Sequence, residues 1–311
     1  MNEKKGEKKR EKSARKKKRE RETEGVGPVI MGLWAGLLDR VARMLAYFPP
    51  KPPTYELTRT EKGKLHLAGA FVGDYEDKDL PWNVVQLETE PRRGGGGGQK
   101  IVALHVPCPT KAKITILHSH GNAVDLGIMC SFYCDLSESL KVNVLGYDYS
   151  GYGLSTGKPS IRNTFADIRA CSKYLVQDLH VDPNDIVLYG QSVGSGPTCE
   201  LASELDELGG VVLHSPLASG MRVLKPTTKK WPTWLDIYPN YNFVPNINAP
   251  TLIMHGTRDE IIDIGNAKFL HSLCKHPVSP LWAEGYNHQN LDLSPEYLPK
   301  LDKYLRTLER K

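Results

Sequence analysis

Ile186-Val187-Leu188-Tyr189-Gly190-Gln191-Ser192-Val193-Gly194-Ser195-Gly196 joins a short apolar, β-branched run to a Gly-x-Ser-x-Gly turn, and a helical pattern follows. That order suits a nucleophile elbow, a sharp strand-to-helix turn that lifts a serine above the edge of a sheet. The glycines have a steric reason. The serine takes strained φ/ψ, and a Cβ at Gly190 or Gly194 would collide with the neighbouring strand or helix. The helix beyond points its first N–H groups at the place where an oxyanion would form. Taken alone, the motif is also compatible with a Gly/Ser turn that does no chemistry, so its meaning depends on what surrounds it.

Outward from the elbow, short strands alternate with helical stretches. Strands are expected at residues 101–106, 114–118, 142–147, 186–189, 211–214, 251–255 and 280–283, with weaker ones at 65–71 and 82–87. Helices are expected near 124–139, 161–178, 194–206, 265–274 and 295–309. The alternation predicts an α/β fold with a mainly parallel central sheet and helices on both faces. In such sheets a site forms at the carboxyl ends of the strands. The loops found there read His118-Ser119-His120-Gly121-Asn122-Ala123, Asp148-Tyr149-Ser150-Gly151-Tyr152-Gly153, the Ser192 elbow, Gly256-Thr257-Arg258-Asp259 and Glu284-Gly285-Tyr286-Asn287-His288. Serine, then acid, then histidine, each after its own strand, is the chain order of an α/β-hydrolase triad.

Each role follows from chemistry. A serine hydroxyl needs a base within hydrogen-bond reach, and an imidazole can take that proton near neutral pH and return it to the leaving group. His288 is placed for this. His255 lies within its strand, and His214 precedes Ser215-Pro216 without an elbow or an acid. Asp259 best fits the acid that orients the imidazole, with Glu260 and Asp263 as fallbacks; Asp259 could also, or only, cap the following helix. The oxyanion would be held by the backbone N–H groups of Val193 and Asn122, with Gly121 allowing close approach. His120 and Asp148 read as polar residues that shape these loops.

The chain has 311 residues and is 40% apolar, enough for one large α/β domain and a tail. Twelve of the 41 Lys/Arg but only 6 of the 36 Asp/Glu fall in residues 1–24, so the whole net charge of +5 sits in that tail. A broad nucleic-acid face on the folded part is therefore not expected. The organisation read from the sequence is a disordered basic tail over 1–27, an amphipathic helix and Pro-rich linker over 28–53, and a hydrolase domain over 54–311. The helix, with Trp34 on its apolar side, and the basic tail together suit an anionic membrane surface, through residues 1–48. No secretory signal and no spanning helix is expected. The six cysteines form no metal or disulfide spacing, so free thiols in a reducing compartment are expected, with no metal and no cofactor.

Leu117 through Gly127 resembles the oxyanion loop of the alpha/beta-hydrolase-domain-17 family of protein depalmitoylases. So do Tyr147 through Gly153 with Gly157-Lys158-Pro159-Ser160, the Tyr189–Val193 stretch, and His214-Ser215-Pro216-Leu217 with Ser219-Gly220-Met221-Arg222-Val223. Pro49-Pro50 followed by Pro53-Thr54-Tyr55 is similar to that family's entry to the domain. The resemblance spans residues 45–309. It implies thioester hydrolysis of S-palmitoylated cysteines on membrane-bound proteins, with Ser192, Asp259 and His288 as nucleophile, acid and base. It departs at the N-terminus, where the family's palmitoylated cysteine cluster has no counterpart before Cys108; the basic tail and the helix are expected to replace it. The pentaglycine run 94–98 and Tyr286-Asn287 also depart.

A short cap-like excursion between Pro216 and Asn246 offers Met221, Leu224, Trp231 and Trp234, together with Val223, Leu235 and Tyr238, as the lining of an acyl groove or as ordinary packing. The leading expectation is a monomeric serine hydrolase acting on acyl thioesters of S-acylated proteins, peripheral on the cytosolic face of a membrane. The alternatives are a carboxylester or lysophospholipid hydrolase with the same residues, and a catalytically inactive membrane-associated scaffold.

Overall fold

The structure, a computed structural model, describes residues 47–61, 63–69, 82–91, 98–224 and 236–309. A small antiparallel pair, β1 (Glu56–Arg59) and β2 (Leu65–Ala68), precedes the main sheet. Next come β3 (Asn83–Glu88), β4 (Lys100–Val106), β5 (Thr115–Ser119), α1 (Leu126–Leu140), β6 (Asn143–Tyr147), α2 (Ile161–Lys173), β7 (Ile186–Gln191), α3 (Ser195–Glu204) and β8 (Gly210–His214). Two short helices, α4 (Gly220–Leu224) and α5 (Asn240–Phe243), lead to β9 (Thr251–Gly256), α6 (Ile264–Leu273), β10 (Leu281–Ala283) and α7 (Tyr297–Glu309). The eight-stranded sheet runs β10-β9-β8-β7-β5-β6-β4-β3. Its pairs from β10 to β6 are parallel, while β4 is antiparallel to both β6 and β3. This is the mainly parallel sheet that the alternating pattern predicts.

Why the sheet takes helices on both faces can be read along each strand. Side chains alternate across a strand. Val102, Leu104 and Val106 enter one core layer, and Ile101 and Ala103 the other. Val187 and Tyr189 face the first layer, Ile186 and Leu188 the second. The first layer is closed by α1, through Met129, Tyr133 and Leu136, and by α7, through Leu301, Leu305 and Leu308. The second is closed by α2, α3 and α6, through Ile168, Cys199 and Leu270. Each such buried aliphatic side chain is worth about 1.5–3 kcal/mol relative to exposure, so burial on two faces fixes the strand registers. Three helices start on side-chain caps: Asp125 accepts from the Ile128 N–H, Ser160 from the Asn163 N–H and Asp263 from the Gly265 N–H.

Two expectations change. The strand expected over 65–71 ends at Ala68 and pairs with β1, outside the main sheet, and residues 70–81 lie outside the described ones. The Pro-rich stretch expected to be a linker is laid onto the domain instead. Tyr47 and Tyr55 are buried, and the Tyr47 hydroxyl is hydrogen-bonded to that of Tyr238. Apolar ring area at both ends of the stretch is the physical reason. The basic tail and all of the expected 28–48 helix except Tyr47 and Phe48 lie outside the described residues, as does the run 92–97. Among the described residues no helix is long and apolar enough to cross a membrane.

Candidate active site

β7 ends at Gln191, and Ser192 takes a left-handed φ of 54° before the chain turns into α3. For a non-glycine residue that conformation costs on the order of 1–3 kcal/mol and persists only where the surroundings enforce it. They do so here. A Cβ on Gly190 would stand 2.6 Å from Thr198 Oγ1, and one on Gly194 only 2.2 Å from the Ser119 carbonyl oxygen. The missing Cβ at Gly194 is what lets the loop after β5 close on the elbow. Gly121, expected to serve that purpose, has no such demand on it: a Cβ there would make ordinary contact with the Gln191 side chain at 3.6 Å.

The acid and the histidine are carried by the loops after β9 and β10. These loops are sewn together: Thr257 N–H donates to the Ala283 carbonyl, Arg258 N–H to that of Tyr286, and Gly285 N–H to Thr257 Oγ1. Asn287 shapes the last turn, its Oδ1 accepting from the Gln289 and Asn290 N–H groups. His288 thereby reaches both partners, with Nδ1 2.7 Å from Asp259 Oδ2 and Nε2 2.9 Å from Ser192 Oγ. Ser192 is 9% exposed, so the residue is largely shielded from water.

Asp259 does not cap α6; Asp263 does, accepting from the Gly265 N–H. Asp259 instead divides its two oxygens. Oδ1 accepts from the Ile261 and Ile262 N–H groups, while Oδ2 faces His288 and, at 3.1 Å, His255 Nε2. Burial alone would raise this carboxyl, but hydrogen bonds from His255 and His288, the charge of His288 and the Ile262 amide hold it well below the usual range. It therefore stays an acceptor beside the imidazole.

His255 is the residue that sequence reading passed over. Its Nε2–H also meets the Ile262 carbonyl at 2.8 Å, which pins the turn carrying Asp259. Its place near the end of β9, four residues before the acid, does not by itself show that the ring turns toward Asp259.

Asn122 lies in the loop after β5, and its side chain is heavily used. Oδ1 accepts from the Phe48 N–H, the Ala123 N–H and the Tyr152 hydroxyl. Val193 directly follows the serine in the turn. His120 donates Nδ1–H to the Gly121 carbonyl, and Asp148 accepts from the Tyr55 hydroxyl and the Leu126 N–H, so both shape the loops as expected.

The groove residues are not assembled around the site in what is described. Met221 is half-buried and donates its N–H to Asp236; Trp231, Trp234, Leu235 and the Leu224 side chain lie outside the described residues. Tyr238 is a core residue: it is 1% exposed, against Gly196, with its hydroxyl on Tyr47 and Thr164. Among the described residues no cluster of three His, Cys, Asp or Glu side chains could hold a metal ion.

Buried histidines near the site give the fold a pH dependence. Burial, then the neighbouring His288 and His255, push His214 down to about 3, and burial pushes His120 down to about 4. An unfolded histidine titrates near 6.5, so as pH falls the unfolded chain takes up these protons first. The stability contributed by each neutral imidazole is complete above about pH 6.5 and is lost as pH falls through the folded value. His214→Asn is expected to flatten the unfolding free energy between pH 6.5 and 4.5 by about 1.4 kcal/mol per pH unit relative to wild type. Urea denaturation at several pH values measures this; parallel curves for the two proteins would refute it.

The α/β hydrolase fold family matches this chain over residues 115–246. Alpha/beta hydrolase domain-containing protein 17B of Homo sapiens is 41% identical over 269 residues, covering 86% of this chain and 91% of that protein. Alpha/beta hydrolase domain-containing protein 17C of Xenopus tropicalis is 38% identical over 286 residues, covering 86% and 89%. Among solved structures, an esterase of Pyrococcus furiosus superposes with a TM-score of 0.60 at 19% identity, over 85% of this chain and 98% of that one, which shows a shared fold. Identity at the level of the 17B protein over 86% of the chain makes it a member of the alpha/beta hydrolase domain-containing protein 17 family.

Proposed function

We propose that this chain is a serine hydrolase that cleaves acyl thioesters, removing palmitate from S-palmitoylated cysteines of membrane-associated proteins. The observation that carries the hydrolase part is the chain of hydrogen bonds from Asp259 through His288 to Ser192 at the carboxyl edge of the sheet. The thioester and the palmitoyl group rest on the family likeness.

The geometry supports the following reaction. Ser192 Oγ attacks the acyl carbon as His288 Nε2 takes its proton, and Asp259 stabilises the imidazolium through Nδ1. The carbonyl oxygen becomes an oxyanion, for which the Asn122 and Val193 N–H groups are the assigned donors. Collapse breaks the carbon–sulfur bond, and His288 returns the proton to the departing cysteine sulfur. Water, deprotonated by His288, then splits the serine ester and releases the fatty acid. No cofactor enters these steps.

In this reading the protein works as a monomer, peripheral on the cytosolic face of a membrane, with residues 1–48 against anionic lipid and with Met221, Leu224, Trp231 and Trp234 beside the acyl chain. The test is a panel of acyl thioesters and matched oxygen esters of several chain lengths, with palmitoylated peptide included. The proposal expects turnover of long-chain thioesters above matched esters. Preference for lysophospholipid or simple carboxylesters would replace the substrate class and keep the hydrolase, whereas no turnover of any acyl compound would leave only a scaffold.

A further inference from the structure

The segment over residues 47–55 is fastened to loops of the candidate site at successive points. The Tyr47 hydroxyl meets that of Tyr238, whose ring lies against Gly196 in the helix that follows Ser192. The Phe48 N–H donates to Asn122 Oδ1 at 2.9 Å. Thr54 donates both its N–H and its hydroxyl to Asp125, and the Tyr55 hydroxyl donates to Asp148 at 2.6 Å. The fit is close: a Cβ on Gly127 would stand 2.4 Å from Thr54 Oγ1. This is a strap with a defined seat.

Its most consequential contact is the one to Asn122. That side-chain oxygen collects three donors: the Phe48 N–H, the Tyr152 hydroxyl at 2.8 Å and the N–H of the next residue, Ala123, at 2.9 Å. Ala123 holds a left-handed φ of 60°, which a residue with a Cβ does not keep unaided. The Asn122 oxygen therefore stabilises the strained turn at Ala123, directly beside the Asn122 amide. Two of its three donors come from outside the turn, one from the strap and one from the loop after β6.

We infer that the Phe48 N–H and the Tyr152 hydroxyl are positioning groups for the oxyanion loop, and that the strap is part of the hydrolytic machinery. This rests on the reading of the Asn122 N–H as an oxyanion donor. A misplaced donor weakens the transition state more than the bound substrate, because charge on the carbonyl oxygen develops only in the former.

The test uses the full chain, a short-chain acyl thioester as substrate and a trifluoromethyl ketone as a mimic of the tetrahedral oxyanion. In Asn122→Ala, which keeps the amide but loses the three-way acceptor, kcat is expected to fall about tenfold or more, with KM within about twofold and the ketone's inhibition constant rising in parallel. Tyr152→Phe is expected to move the same quantities in the same direction by a smaller factor. Phe48→Pro removes the N–H and is expected to fall below Phe48→Ala, which keeps it. Thermal melts exclude gross unfolding, and if the proline variant does not fold, Asn122→Ala and Tyr152→Phe decide. Wild-type kcat and ketone affinity in both would overturn the inference. Failure of the wild type to hydrolyse the thioester and to label at Ser192 with a fluorophosphonate would strike the hydrolase reading itself, and this inference with it.

Discussion

Ser192→Ala is expected to lower kcat/KM on an acyl thioester by about 10⁴- to 10⁶-fold and to abolish covalent labelling by a fluorophosphonate probe. The size follows from the role. With the hydroxyl gone, no acyl-enzyme can form, and the imidazole of His288 has no proton to take at 2.9 Å. Groups that act as one unit are non-additive, so Ser192→Ala combined with His288→Ala is expected to lose little beyond the first substitution. What remains above the uncatalysed rate would come from the Asn122 and Val193 amides and from binding. Steady-state kinetics of the two single variants and the double variant measure this. A Ser192→Ala protein that keeps a tenth of wild-type activity would end the assignment.

Asp259→Asn is the second large effect, expected at about 10³- to 10⁴-fold in kcat. The argument is one of donors and acceptors. Both carboxylate oxygens of Asp259 only accept: Oδ1 from the amides of Ile261 and Ile262, Oδ2 from His288 and His255. An asparagine must turn its NH₂ to one side or the other. Facing the histidines, it donates to His288 Nδ1 and forces the ring proton to Nε2, where the serine hydroxyl needs an acceptor. Facing the turn, it opposes two N–H groups and leaves them unpaired, at about 1–3 kcal/mol for the buried Ile262 donor and less for the more exposed Ile261. Activity falls in either orientation, and in the second the melting temperature falls as well. Activity within tenfold of wild type would show that the acid lies elsewhere.

The parts of the molecule visible in the sequence were those with a periodic or stereochemical signature. Runs such as Ile186 to Tyr189 and Val211 to His214 are apolar on both faces because both faces are covered, and they stand out as buried parallel strands. The Ser192 turn could be read because its geometry demands glycine at 190 and 194. Asp259 and His288 could be placed because each follows a strand, and topology brings such loops together.

Other features lacked any such mark. Within the strap, Phe48 to Pro53 looked like a linker because prolines dominate it, and the contacts that hold the strap are to residues far along the chain. Tyr238 stayed open between groove and packing because an aromatic in a cap-like excursion reads the same whether it faces a ligand or the core. His255 looked like strand filling, since one-dimensional spacing does not show that its ring bends toward the acid four residues on.

The Tyr47–Tyr238 contact also has a consequence for how the protein is made. The two residues are 191 positions apart. At ribosomal elongation of about 5–20 residues per second, Tyr47 emerges some 10–40 s before its partner exists. Tyr47 must therefore wait for Tyr238, although Phe48, Thr54 and Tyr55 can meet Asn122, Asp125 and Asp148 much earlier. A nascent chain stalled in its first two-thirds would leave the Tyr47 hydroxyl without Tyr238 and would lack Asp259 and His288, so it could hydrolyse nothing.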